Sequence, residues 1–219
     1  MANWDKIYKA FNKKDESWQD MNDGVVPCCF IEGISPLFVE FVSKTNFKDS
    51  YVFDIGCGKG QYLNYLASLG FKVDGIDFSE TSVAMTKEVL GLKVGNIKQA
   101  DMFNMKIIPN KYDLIISIRT INHGFKKDLQ KLVNEIYTAL MDGGKTFITI
   151  PDKKCLKTWR TFKEHKMLDK NTAIPLIGPE KDIPHSFYDK VELEKMFAKF
   201  SKLEMKKDES GQWIVISTK

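Results

Sequence analysis

No stretch of the 219-residue chain approaches the ~18 consecutive apolar residues of a membrane-spanning helix. The N-terminus shows no apolar core of the kind that marks a secretory signal, so neither a membrane nor an exported protein is expected. Cysteine is scarce. Cys28, Cys29, Cys57 and Cys155 show no metal-ligand spacing, and the adjacent pair makes a poor disulfide framework. This usage suits a reducing cytosol, and a cytoplasmic location is expected. Internal repeats and low-complexity linkers are missing. The formal net charge of +4 is too small to demand a nucleic acid or membrane partner, and neither is expected. What remains is an ordinary globular composition, 43% hydrophobic and 28% charged, in a length that suits one well-buried domain.

Residues 52–60, VFDIGCGKG, organise the rest. Tyr51, Val52, Phe53 and Ile55 make a short strand of β-branched and aromatic residues with Asp54 near its carboxyl end. Gly56, Gly58 and Gly60 follow, spaced to turn the backbone sharply and to let a ligand reach the amides without meeting a Cβ. A helix starts near Gln61, with Tyr62, Leu63, Leu66 and Leu69 on one face and Gly70 closing it. Strand, glycine turn and helix form the first unit of a nucleotide-binding α/β sheet, whose ligand lies beyond the strand's carboxyl end. A turn that serves only chain reversal is the alternative.

The spacing excludes two phosphate motifs. A dinucleotide fingerprint needs glycine where Gln61 stands, and a P-loop needs Ser or Thr where Gly60 stands. What DIGCGKG resembles is motif I of the class I S-adenosylmethionine-dependent methyltransferases, an Asp-x-Gly-x-Gly-x-Gly loop. A second strand, Lys72 to Ile76, ends in Asp77, 17 residues beyond Gly60 and close to the ~20 at which an acid meets ribose hydroxyls. Phe78 follows, then Ser79 as a helix N-cap. A third strand, near Lys93 to Lys98, leads to Ala100-Asp101-Met102, which is similar to the family's adenine site. There Asp101 would accept from the exocyclic amine, with Met102 and Phe78 on the two ring faces. The resemblance covers residues 51–150 well and implies S-adenosylmethionine as cofactor. It also implies a Rossmann-like three-layer sandwich, with a seven-stranded mostly parallel sheet in the order 3-2-1-4-5-7-6 and an antiparallel last strand. Gly56, Cys57, Gly58, Gly60 and Ile118 join Asp54, Asp77, Phe78, Asp101 and Met102 as expected cofactor contacts.

Within one methyltransferase domain, residues 1–50 read as N-terminal helices, 51–150 as the cofactor-binding core, 151–186 as an insertion on the substrate side, and 187–219 as a last helix and hairpin. Trp4, Ile7, Tyr8 and Phe11 recur at helical spacing, 13–23 reads as a loop, and Phe38, Val39, Phe41 and Val42 make a second helix. WDKIY, a further Trp, a Pro and a helix before motif I are similar to thiopurine, thiol and tellurite-type small-molecule methyltransferases. In that resemblance the segment is a lid, which places Trp4, Tyr8 and Trp18 at the cofactor; core packing is the alternative. Cys28 and Cys29 read as small buried hydrophobes.

The fourth strand, Tyr112 to Ile118, is a nearly continuous apolar run suited to a central parallel position. Ser117-Ile118-Arg119-Thr120 stands where amino-methyltransferases carry Asn or Asp-Pro-Pro-aromatic, which weighs against nucleobase amines and glutamine amides. No Asp-Asp or Asp-Asn pair follows, so a catechol-type magnesium site is not supported and no metal is expected. His123 is a candidate general base, as is His185; His123 can instead cap the following helix or bond a backbone carbonyl. A helix with Leu129, Leu132, Val133, Ile136 and Leu140 stops at Asp142-Gly143-Gly144, and Thr146 to Ile150 is the fifth strand.

From Lys153 to Lys170 seven Lys/Arg face two acids, a local net of +5. The segment reads as an amphipathic helix with Leu156, Trp159, Phe162 and Met167 inward, or as an RNA-binding face. Lys170 to Pro184 reads as a mobile loop. Asp189 and Glu192 write a capping box, with Tyr188 and Leu193 as staple, and strands near 201–206 and 212–217 follow. The expectation is methyl transfer to a small-molecule thiol, chalcogen, oxygen or nitrogen nucleophile by a monomer or homodimer. An RNA-directed methyltransferase and a non-catalytic cofactor-binding protein are the alternatives.

Overall fold

The computed structural model describes residues 4–12, 33–45, 47, 50–106 and 108–219. The first strand, β1 (Tyr51–Ile55), is flanked by parallel partners on both edges, β2 (Lys72–Asp77) and β4 (Tyr112–Ser117). That central place is why its run is apolar on both faces. Beyond β2 lies β3 (Ile97–Gln99); beyond β4 lie β5 (Leu140–Pro151), β10 (Gln212–Thr218) and β9 (Lys202–Lys207). The order is β3-β2-β1-β4-β5-β10-β9, and β10 runs antiparallel to both neighbours. The seven-stranded arrangement read from the sequence is present in full.

Period-two alternation divides the strands between two cores. Leu114 and Ile116 of β4, with Val52 of β1, pack against α2 (Pro36–Lys44), α3 (Gln61–Ser68) and α4 (Glu80–Leu90) through Phe38, Leu63 and Val83. Ile115, Phe53 and Ile55 face the other way, onto Leu129, Leu132 and Ile136 of α5 (Lys126–Ala139) and Leu193 of α7 (Lys190–Met196). The result is three layers, with all loops at the carboxyl ends of β1, β2 and β4 gathered on one edge. The N-terminal helix, α1 (Trp4–Asn12), buries Ile7 and Tyr8 on the same edge and is tied to α4 through Asp5. The Asp5 carboxylate accepts from Ser79 Oγ (3.0 Å), Thr81 N (3.0 Å) and Thr81 Oγ1 (2.9 Å).

Local details differ from the sequence reading. Leu69 lies past the end of α3 and is 52% exposed, because the helix stops at Ser68 before another turn can face the core. Leu140 begins β5 rather than ending α5, and a register shift between Tyr112 and Leu114 absorbs the long strand start. The basic segment is not one helix. It is a single turn, α6 (Cys155–Thr158), a 3-10 turn at Arg160–Phe162, and then β6 (His165–Met167). Phe162 is buried as expected, but Met167 points outward at 39% exposure. The stretch read as a mobile loop contains β7 (Thr172–Pro175), which pairs antiparallel with β6 and with β8 (His185–Ser186).

The capping box is formed as read: Asp189 accepts from Glu192 N at 2.9 Å and Glu192 accepts from Asp189 N at 3.1 Å. Asp189→Ala is therefore expected to lower stability by about 1 kcal/mol, seen as a lower urea midpoint with an unchanged slope.

Candidate active site

The glycine turn after β1 takes a shape that few residues tolerate. Gly56 and Gly58 lie at φ +82° and +56°. A Cβ on Gly56 would fall 2.2 Å from Thr120 Oγ1, and one on Gly58 would fall 2.9 Å from the Tyr8 hydroxyl. The turn is tied to β2, since Gly56 N and Cys57 N both donate to Ile76 O at 2.8 and 3.0 Å. Cys57 is buried, and burial pushes its thiol pKa well up, so it is inert at neutral pH. Gly60 is the left-handed N-cap of α3.

Asp77 ends β2 with its carboxylate buried. Oδ2 accepts from Gly58 N and Oδ1 from Ser79 N, each at 2.9 Å. Burial raises its pKa, opposed by these N–H donors. The acid is thus no solvated loop residue, and each oxygen keeps a lone pair for another donor. Asp101 makes a local turn, accepting from Phe103 N and Asn104 Nδ2 at 2.9 Å.

A cleft of about 1070 Å³ opens over these strand tips. Asp54, Asp77, Phe78, Asp101, Met102 and Ile118 line it, Trp4 and Tyr8 of α1 stand beside the glycine turn, and His123 is on the wall. The structure therefore gathers the sequence-predicted cofactor residues at one site, with Gly60 set one position back. Trp18, Cys28, Cys29 and the 13–23 loop lie outside the described residues. His185 is 1% exposed and sits behind His123, their rings 4.5 Å apart, rather than on the cleft wall.

Asp54 supplies the test of what the cleft fits. Its Oδ1 is buried with no hydrogen-bond partner among the described residues. Burial, and after it the charge of Asp77, lifts the Asp54 pKa well above the usual carboxylate range. An orphaned acid on the floor of a cleft asks for a cationic donor. S-adenosylmethionine carries an ammonium and a sulfonium at one end, vicinal hydroxyls in the middle and a flat ring at the other. On the cleft lining Asp54 and Asp77 offer carboxylates, and Phe78 and Met102 apolar surface, of the kinds those three parts call for.

Two residues at the site escape sequence reasoning. Arg119 sits on the cleft wall at φ +58°, its N–H donating to Thr149 Oγ1 at 2.7 Å. A non-glycine residue so held is characteristic of functional sites, and composition carries no sign of it. Glu180 is buried with its Oε2 3.1 Å from His185 Nε2, although it comes from a stretch that reads as loop.

Residues 52–144 match the family model described as a methyltransferase domain. A ubiquinone biosynthesis O-methyltransferase of Colwellia psychrerythraea is 26% identical over 69% of this chain and 65% of its own length. A ribosomal protein L11 methyltransferase of Clostridium botulinum is 27% identical over 67% of this chain and 51% of its own length. The chain thus spans between about half and two thirds of these curated relatives. Among solved structures, an S-adenosylmethionine-dependent methyltransferase of Methanosarcina mazei superposes with a TM-score of 0.67 at 17% identity, over 86% of this chain and 99% of that one. This superposition shows the Rossmann-like fold that class I methyltransferases share. No described helix is long and apolar enough to cross a membrane.

Proposed function

We propose that this protein is an S-adenosylmethionine-dependent methyltransferase acting on an oxygen nucleophile of a small molecule. The observation that carries the reading is the partnerless Asp54 oxygen on the floor of a cleft bounded by three strand tips. Similarity to the ubiquinone biosynthesis O-methyltransferases supports oxygen as the acceptor atom.

In this reading Asp54 holds the cationic amino-acid end, Asp77 the ribose hydroxyls and Asp101 the adenine amine, with Phe78 and Met102 against the ring. When bound, the cofactor supplies a methyl already activated by positive sulfur. The chain's work is then to align the acceptor and exclude water. Trp4 and Tyr8 of α1 form the lid, and their aromatic faces suit a cation. His123 marks the acceptor end, where burial and then the neighbouring His185 push its pKa down to about 3. It is therefore an unprotonated imidazole at working pH, and by itself a weak proton acceptor. A reducing cytosol is part of the proposal, supported by the free thiols Cys57 and Cys155.

Calorimetry with S-adenosylmethionine, then a labelled-methyl screen over catechols, phenols, thiols, amines and RNA, tests the reading. Label in hydroxyl acceptors supports it. Label confined to thiols restores the thiopurine-type reading, salt-dependent labelling of RNA moves the function to the basic segment, and no heat with the cofactor overturns the whole. Asp77→Asn is expected to weaken cofactor binding about tenfold to hundredfold, the worth of a charge-assisted hydrogen bond.

A further inference from the structure

Behind the cleft wall, His123, Glu180 and His185 bring one ligand atom each within 4.8 Å of one another. They come from the loop after β4, the loop between β7 and β8, and β8 itself. A bridge between His123 and His185 fastens the small sheet to that loop. Phe162 packs edge-on against His185 at 5.0 Å and Trp4 lies 4.9 Å from His123, so the cluster has an apolar shell.

The hydrogen bonds within it pose a problem of signs. His185 Nδ1 is 2.8 Å from the Ile183 carbonyl, which can only accept, so Nδ1 carries the proton. In the neutral ring Nε2 then presents a lone pair, and it faces Glu180 Oε2 at 3.1 Å. Two acceptors pointed at each other need positive charge between them. A proton would satisfy that pair alone and leave His123 beside a cation. A divalent ion would satisfy all three by drawing ligand atoms that stand up to 4.8 Å apart closer together.

We propose that His123, Glu180 and His185 form a binding site for a divalent first-row metal ion, zinc by its two-imidazole, one-carboxylate donor set, with an open position toward the cleft. Several features of known sites coincide here. Three protein ligands plus a free position is the pattern of catalytic zinc. The Ile183 carbonyl behind Nδ1 is the kind of outer contact that fixes a metal-bound histidine. His123 is the one ligand that also lines the cleft, so the open position falls on the acceptor side. There the ion takes an acceptor hydroxyl as its oxyanion; the O–H bond breaks, the electron pair stays on oxygen, and the proton leaves to solvent. That last role rests on the methyl-transfer reading. Binding of the ion does not.

The test titrates Zn2+ into the full chain, stripped with chelator, against a chromogenic competitor, and records the visible spectrum with Co2+ in its place. One equivalent bound, with the d–d bands of a four- or five-coordinate cobalt site, is expected. Glu180→Gln and His185→Gln should each weaken binding about 100-fold or more, beyond what removal of an outer contact costs. His123→Gln, at the cleft edge, is the variant least apt to disturb folding and should weaken binding too. Far-UV circular dichroism and cofactor calorimetry on the same samples report whether each variant is folded. No binding by the wild type, or equal binding by folded variants, overturns the site and leaves a buried histidine–glutamate ion pair. Zinc bound with no S-adenosylmethionine heat supports the metal site while the methyl-transfer reading fails.

Discussion

Asp54→Asn is expected to make the cofactor-free protein more stable and to cost it most of its affinity for S-adenosylmethionine. The two effects share one cause. Asp54 is a buried acid whose Oδ1 has no partner among the described residues, and its pKa in the folded chain is raised. A carboxyl whose folded pKa exceeds its unfolded value contributes nothing against folding while it is protonated in both states. It becomes a penalty as pH rises past about 4, where the unfolded chain ionises, and the penalty grows until the folded pKa is reached. Asparagine has nearly the same shape and no charge, so at neutral pH it removes that penalty. Each kcal/mol recovered raises the melting temperature by about 2–4 °C in a chain of this size. The gap between wild type and variant should widen from pH 4 upward and nearly vanish below it. Affinity moves the other way, falling about tenfold to hundredfold because the amide cannot replace the charge-assisted hydrogen bond. Melting curves across pH, with calorimetry at neutral pH, check both halves. A variant less stable than wild type at pH 7 that binds the cofactor equally well would sink the assignment of Asp54.

Gly56→Ala should do the reverse on stability and the same on binding. The residue sits at φ +82°, where any Cβ is strained by about 1–2 kcal/mol. The new carbon would stand 2.2 Å from Thr120 Oγ1 and 2.5 Å from Thr120 Cγ2, an overlap worth about 1–3 kcal/mol in a packed site. Together these destabilise the fold by about 2–5 kcal/mol, and the shifted turn no longer binds the cofactor. Adding Thr120→Ala removes the overlap and leaves the strain. The double variant should therefore regain stability but stop short of the wild type. Denaturant melts of the three proteins separate the two contributions, and a single variant as stable as wild type would contradict both.

The parts of this molecule legible in its sequence are those written locally and often. β1 and β4 announce themselves because a strand buried on both faces is apolar at nearly every position. The capping box at Asp189 and Glu192 and the cap at Ser79 are local hydrogen-bond chemistry, fixed by residues three apart. Asp77 is legible by its distance from the glycine turn, Asp54 and Asp101 through the resemblance of the motifs that hold them, and the structure puts all three on one cleft. The substrate-side insertion misleads for the opposite reason. β6, β7 and β8 are three, four and two residues long, too short for a periodicity to show, and exist through pairing with one another. Met167 faces inward only on a helix that does not form. Glu180 is invisible in the sequence because its significance lies in His185 and His123, the latter 57 residues away.

The attachment of α1 has a consequence for traffic through the cleft. Nine residues of helix stand beside the glycine turn, moored to the N-terminal end of α4 by three hydrogen bonds to one oxygen of Asp5. None of these crosses into the sheet. Parting those three bonds leaves every strand of the sheet paired, so the binding tips keep their spacing.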